Sequence, residues 1–196
     1  MIGRVVHMKD DRLFETIIQR EEIFRGRYLN LESLKIRLPD KRIGLREIVR
    51  VKDAVAVLPV DERENVYLVR QSRPAIGEVL TEIPAGLIDD GGETPAEAAI
   101  RECEEEIGLR PEKLTELITY AHAEGYSTGM ISLFVGTDLR ATGPQRLDET
   151  EFLEIVSMPF EELLTKVRKN EIRDSKTILA TLLWLHLRYN PQWLDF

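Results

Sequence analysis

The stretch GLIDDGGETPAEAAIRECEEEIGL, residues 86–109, decides how this chain is read. Its second half carries the signals of a complete helix. Thr94 is a good N-cap, Pro95 suits the first helical position, and Glu97 completes a Thr-x-x-Glu capping box. Gly108 is the expected stop. Ala96, Ala99, Ile100, Cys103 and Ile107 recur at helical spacing and form one apolar stripe. Cys103 lies on that stripe and reads as core, not as a nucleophile. Glu102, Glu105 and Glu106 share one side of the helix, away from the stripe. Like charges at this spacing cost a helix about 0.2–0.5 kcal/mol per pair, and acids near its C-terminus oppose the dipole. Two readings are open: a solvated acidic face, or a carboxylate cluster whose repulsion a divalent cation relieves.

The rest of the chain narrows the setting. At 196 residues there is room for one domain with a sizeable core, with or without a small appendage. A content of 43% hydrophobic and 32% charged residues is that of a soluble globular protein and excludes wholesale disorder. The net charge of −8 argues against a nucleic-acid partner, since an acidic surface repels phosphate backbones. A small anion stays admissible where arginines or a metal ion invert the local field. Cys103 is the single cysteine, so there is no disulfide framework and no thiolate zinc site. His7, His122 and His186 are scattered, so any metal is expected to be a hard cation on oxygen ligands. No apolar run has signal-peptide or bilayer-spanning length, which points to a soluble, cytoplasmic protein with no membrane partner.

Working outward, residues 14–24, 31–38 and 45–51 read as strands joined through the turn at Pro39-Asp40. They predict a small antiparallel sheet, an N-terminal subdomain over residues 1–52. Residues 54–60 (AVAVLPV) read as a strand buried on both faces. Further strands are expected at 66–71, 78–83, 131–137 and 152–157, and turn formers crowd 84–93. Helices are expected at 159–169 and 175–189, the second capped by Asp174. It is expected to pack through Ile178, Leu179, Leu182, Leu183 and Leu187. The pattern is an α+β fold, a mixed-sheet sandwich over residues 53–196.

Gly86, Glu93 and the run Arg101-Glu102-Cys103-Glu104-Glu105-Glu106-Ile107-Gly108-Leu109 resemble the signature box of the Nudix hydrolases. That box runs Gly, five residues, Glu, seven residues, then Arg-Glu-aliphatic-x-Glu-Glu-x-Gly-aliphatic. Here Cys103 replaces an aliphatic residue, and six residues separate Gly86 from Glu93, an insertion that the pair Gly91-Gly92 can absorb. The resemblance implies a Nudix-like α/β/α sandwich with Glu102 and Glu106 as metal ligands. Glu105 stands close in as a catalytic carboxylate, and Ala85 lends its carbonyl to the ion. Mg²⁺ is the implied cofactor, with Mn²⁺ able to substitute. Glu93 and Arg101 are implied as a bracing ion pair.

Val69–Pro74, Glu82–Asp89 and the Pro39-Asp40…Arg46-Glu47 hairpin look like the ADP-ribose pyrophosphatase branch of that family. In that branch the N-terminal sheet is exchanged between two subunits, which implies a homodimer. Arg73, read alone, is a surface ion pair or a phosphate-facing arginine. Arg46 is a cross-sheet partner or a substrate contact. Glu82 alternates with Leu80 and is either solvent-facing or, as the branch implies, in contact with the nucleotide. The acids Asp148-Glu149-Thr150-Glu151 are an ordinary acidic loop or the branch's second carboxylate cluster, with Glu149 the general base and Glu151 a further metal ligand. The branch usually carries a Pro sixteen positions after Gly108, where this chain has Glu124, which is either a sugar contact or neutral. The implied reaction is Mg²⁺-dependent cleavage of a nucleoside diphosphate sugar, ADP-ribose first, to AMP and ribose 5-phosphate. The rivals are a GDP-mannose or other nucleotide-sugar diphosphatase, and a non-catalytic nucleotide-binding module.

Overall fold

The computed structural model describes residues 12–147 and 149–194; His7 and Asp148 lie outside the described residues. The chain divides into two compact units. One comprises the described residues up to Lys52 together with His122–Gly129, and the other Asp53–Ala121 with the described residues from Met130 onward.

The first unit is an antiparallel sheet of β1 (Thr16–Arg25), β2 (Asn30–Arg37) and β3 (Ile43–Arg50), in that order. Alternation along β2 turns Leu34 and Ile36 inward, and these two are its buried side chains. β1 is exposed along its whole length, including Ile17, Ile18, Ile23 and Phe24. The 122–129 segment joins β3 through backbone bonds from Val49 N–H to the Tyr126 carbonyl (2.7 Å) and from Thr128 N–H to the Val49 carbonyl (3.1 Å).

The second unit contains β4 (Ala54–Pro59), β5 (Asn65–Arg73), β6 (Glu78–Glu82), β7 (Ala85–Leu87), α1 (Pro95–Ile107), β8 (Leu109–Ala121), β9 (Met130–Ala141), β10 (Leu153–Pro159), α2 (Phe160–Arg168) and α3 (Ser175–Tyr189). A short 3-10 turn, Pro191–Leu194, follows. The strands form a mixed sheet, β7-β4-β9-β8, and an antiparallel one, β10-β5-β6; β4 and β9 run parallel. β4 shows why this is a sandwich. Ala56 and Leu58 point into a core shared with Leu68, Leu133, Phe160 and Leu163, on the α2/α3 side. Val55 and Val57 point the other way, against Ala98, Ala99, Cys103 and Ile107 of α1. Both faces are therefore covered, as the unbroken apolar run predicts. Each Val, Leu or Phe among them, removed from water, contributes about 1.5–3 kcal/mol.

Three expectations are corrected. β8 has no counterpart in the sequence reading, because Pro111 and the charges of PEKLTEL hide it; it is tolerated as the edge strand beside β9. The deepest face of α3 is Thr177, Ala180, Thr181 and Leu187, while Leu182 is exposed. Small residues let the helix lie close on the sheet, and Thr181 satisfies its hydroxyl on the Thr177 carbonyl at 2.7 Å. On α1 the buried face is Ala98, Ala99, Cys103, Glu106 and Ile107, and Ala96 is exposed. No helix among the described residues is long and apolar enough to cross a membrane.

Candidate active site

The site is built around α1, and its local chemistry holds the helix at both ends. Thr94 accepts the Glu97 N–H at 3.3 Å, and the Glu97 carboxylate accepts the Thr94 N–H at 2.8 Å, a closed capping box. Gly108 ends the helix at φ 67°, and a Cβ there would run into the Gly143 carbonyl. The loop after β9 satisfies the carbonyls left over at this end. Thr142 N–H donates to the Gly108 carbonyl (2.9 Å), Arg146 N–H to that of Glu105 (2.9 Å), and the Gln145 amide to that of Glu106 (2.6 Å). The same loop then delivers Glu151 to the helix.

Ala85, Gly86, Arg101, Glu102, Glu105 and Glu151 line a cleft of about 430 Å³. Glu106 lies beneath it, 3% exposed, with its carboxylate accepting the Ala85 N–H at 3.2 Å. The sequence reading sets the three acids opposite the apolar stripe, and that is corrected here. Glu106 follows Ala99 by two turns and so falls within about 20° of it around the helix. A solvated acidic face is thereby excluded for Glu106, and Glu102 keeps only 12% of its side chain exposed. Gly86 makes room for it, since a Cβ there would overlap the Glu102 carboxylate.

Arg101 is the cation bonded to the acids of this wall. It donates to Glu93 (2.8 and 3.1 Å), Glu102 (2.6 Å), Glu105 (3.1 Å) and the Leu87 carbonyl (3.0 Å), so the Glu93–Arg101 brace is present. Gly92, at φ 89°, turns the longer loop so that Glu93 reaches it. Burial pushes the Glu102 carboxyl up to about 7; Arg101 opposes this, and the charges of Glu105 and Glu151 add to it. Burial, then the charges of Glu102 and Glu151, push Glu106 up to about 8. Repulsion along a helix surface is too small to do this; desolvation of carboxylates without enough countercharge, worth several kcal/mol per ion, is the larger effect. Cys103 is fully buried and its thiol is pushed up by burial, in keeping with a core role.

Of the loop acids, Glu151 lines the cleft, while Glu149 is exposed and does not. Arg73 holds Glu82 through two bonds of 2.8 and 2.7 Å. Glu82 is 1% exposed, so the solvent-facing alternative for it does not hold. Arg46 pairs with Glu15 in the N-terminal unit, and Glu124 occupies an exposed turn of that unit. Two cations went unread in the sequence. Arg146 lines the cleft from an irregular loop, and Lys176 bonds Glu82 from the first turn of α3; neither sits in a local pattern. Among the described residues no three His, Cys, Asp or Glu side chains form a ready-made metal cage. Glu102 is turned onto Arg101 and Glu106 onto the Ala85 N–H, an open arrangement of oxygen donors.

Comparison with known proteins agrees with this geometry. Residues 50–181 match the NUDIX domain family. The methanol dehydrogenase activator of Bacillus methanolicus is 36% identical over 171 residues, 86% of this chain and 92% of that one. The ADP-ribose pyrophosphatase of Bacillus subtilis is 35% identical over 169 residues, 86% and 91% of the two chains. A crystal structure described as an ADP compounds hydrolase superposes with a TM-score of 0.79 at 25% identity, covering 92% of this chain and 98% of that one. A family match over most of the chain, which includes the loop and helix that bury the carboxylates, makes this protein a member of the Nudix hydrolases.

Proposed function

We propose that this enzyme cleaves the diphosphate of a nucleoside diphosphate sugar, ADP-ribose first, giving AMP and ribose 5-phosphate. One observation carries the reading: Glu102 lines, and Glu106 lies buried against Ala85 beside, a cleft that holds more carboxylates than cations. A diphosphate with its dication is the ligand that such a wall balances. The pyrophosphatase relative, aligned over most of both chains, supports the substrate class.

The donor chemistry fits a hard divalent ion, and we take it to be Mg²⁺, with Mn²⁺ able to substitute. Glu102, Glu106, Glu151 and the Ala85 carbonyl would hold it, all through oxygen. When bound, the ion supplies Lewis-acid polarisation of the phosphorus and an acidified water. The chain's own residues do the rest. Arg101 and Glu93 fix the rotamer of Glu102, Glu105 adds charge at the cleft mouth, and Arg73 presents its guanidinium to phosphate oxygens. The loop supplies the general base. Of the two loop acids Glu151, which lines the cleft, is either an ion ligand or the base but not both; Glu149 is the base if its loss costs turnover as much. Arg46 and Glu124 are assigned to substrate contacts on the resemblance alone.

The exposed apolar residues of β1 support a homodimer formed through the N-terminal sheet, and light scattering tests it. The buried lone thiol fits a reducing, cytoplasmic compartment. Glu124 favours a second reading, a GDP-mannose or other nucleotide-sugar diphosphatase. Product analysis after incubation with ADP-ribose and with GDP-mannose, with and without EDTA, decides between them. Faster release of AMP than of GMP, abolished by EDTA, supports the first; binding with no hydrolysis at millimolar Mg²⁺ overturns both in favour of a non-catalytic module.

A further inference from the structure

We infer that Lys176, at the start of α3, is a positioning residue that clamps Arg73 and the strand leading to Ala85; the inference rests on the substrate reading above. Lys176 is 12% exposed, and its ammonium bonds both Glu82 and Asp174, the latter at 2.8 Å. Glu82 in turn holds Arg73 in a two-pronged grip. A planar fork fixed at two nitrogens has one orientation left, which is what a phosphate contact requires. Asp174 caps α3 by accepting the Thr177 N–H at 2.9 Å, and also accepts the Thr177 hydroxyl. The Thr177 hydroxyl then accepts the Ile83 N–H at 2.9 Å. The circuit closes: Arg73, Glu82, Lys176, Asp174, Thr177 and back to Ile83. It pins β5, β6 and the chain just before Ala85, whose N–H holds Glu106.

The charges explain why a lysine is needed. Glu82 is buried, and Arg73 keeps 40% of its side chain exposed, facing solvent on one side. An exposed arginine alone lets its carboxylate partner exchange between rotamers, and such pairs contribute little. A second, buried cation on the other flank of Glu82 removes that freedom. With Asp174 as its own counterion, the charge of Lys176 is largely offset, and its role toward Arg73 is geometric.

The test is a double-mutant cycle on the full-length enzyme with Lys176→Met and Arg73→Ala. Wild-type turnover of ADP-ribose with Mg²⁺ comes first, and its absence overturns the functional reading. The clamp is read separately, by calorimetric affinity for the methylene-bridged analogue of ADP-ribose and by KM. Lys176→Met alone is expected to weaken affinity and raise KM about tenfold with little change in kcat, and to have under a twofold effect in the Arg73→Ala background. Lys176→Gln, which keeps hydrogen bonding and volume, is expected to show a smaller loss with the same collapse, and serves if the methionine variant does not fold. Equal losses in both backgrounds, no loss at all, or an analogue that does not bind the wild type overturns the clamp.

Discussion

Two arginine-centred networks flank Ala85, and they differ in charge balance. Around Arg101 one guanidinium faces Glu93, Glu102 and Glu105, with Glu106 buried behind. Around Glu82 two cations, Arg73 and Lys176, meet two carboxylates, Glu82 and Asp174. Burial pushes the buried carboxyls of both networks up. In the first it wins, and Glu102 and Glu106 rise to about 7 and about 8. In the second Arg73 and Lys176 outweigh it, and Glu82 falls below its ordinary value. Depth alone therefore does not mark a binding site. A shortage of countercharge at depth marks a cation site, because carboxylates already balanced inside the protein have nothing left to offer a dication.

Removing a carboxylate from the deficient network is the harshest way to break the comparison. Glu106→Gln is expected to lower kcat by a factor on the order of 10³, while circular dichroism and the metal-free melting temperature show an intact fold. Glu151→Gln is expected to cost about 10²-fold and Glu149→Gln much less, given that Glu151 lines the cleft and Glu149 does not. Equal losses at the two positions return the base role to Glu149.

Magnesium and pH sharpen the same contrast. A carboxyl raised in the folded state loses its proton later than in the unfolded chain, so metal-free stability falls as pH rises from about 4.5 toward 8. A cation that binds the ionised form reverses that loss. The gain in melting temperature on adding Mg²⁺ is therefore expected to be small at pH 6 and to grow through pH 7–9. Glu106→Gln is expected to flatten both the metal-free decline and the magnesium gain. A gain independent of pH removes the buried carboxylates from the ligand set.

These features differ in how far the sequence discloses them. The caps of α1, the doubly buried β4 and the acid spacing are local patterns, and each is legible without coordinates. So is the Arg101–Glu93 brace, through resemblance to the family box. The burial of Glu106 is less so, because a helical wheel gives angles but not which arc the neighbouring strands cover. The Glu82 network is illegible for a stronger reason: Lys176 stands 94 positions from Glu82, and a lysine in a first helical turn carries no signal of a buried partner. Arg146 is hidden likewise, since the loop that brings it to the cleft is fixed by backbone bonds to the end of α1.

The balanced network is tested most gently at its centre. Glu82→Gln keeps the volume and one acceptor but leaves Arg73 and Lys176 facing a neutral group, with Asp174 the remaining acid. Loss of a buried carboxylate from between two cations costs about 3–5 kcal/mol when all partners are dry. The exposure of Arg73 lowers the expectation to about 2 kcal/mol. Because the folded value of Glu82 is depressed, its contribution is present above the unfolded value near 4.5 and disappears as pH falls through the folded one. The stability gap between wild type and Glu82→Gln, measured by urea unfolding, is therefore expected to be constant from pH 6 to 8 and to close below pH 4. Were the gap instead to widen in acid, Glu82 would be protonated in the native protein, and both networks would be short of countercharge.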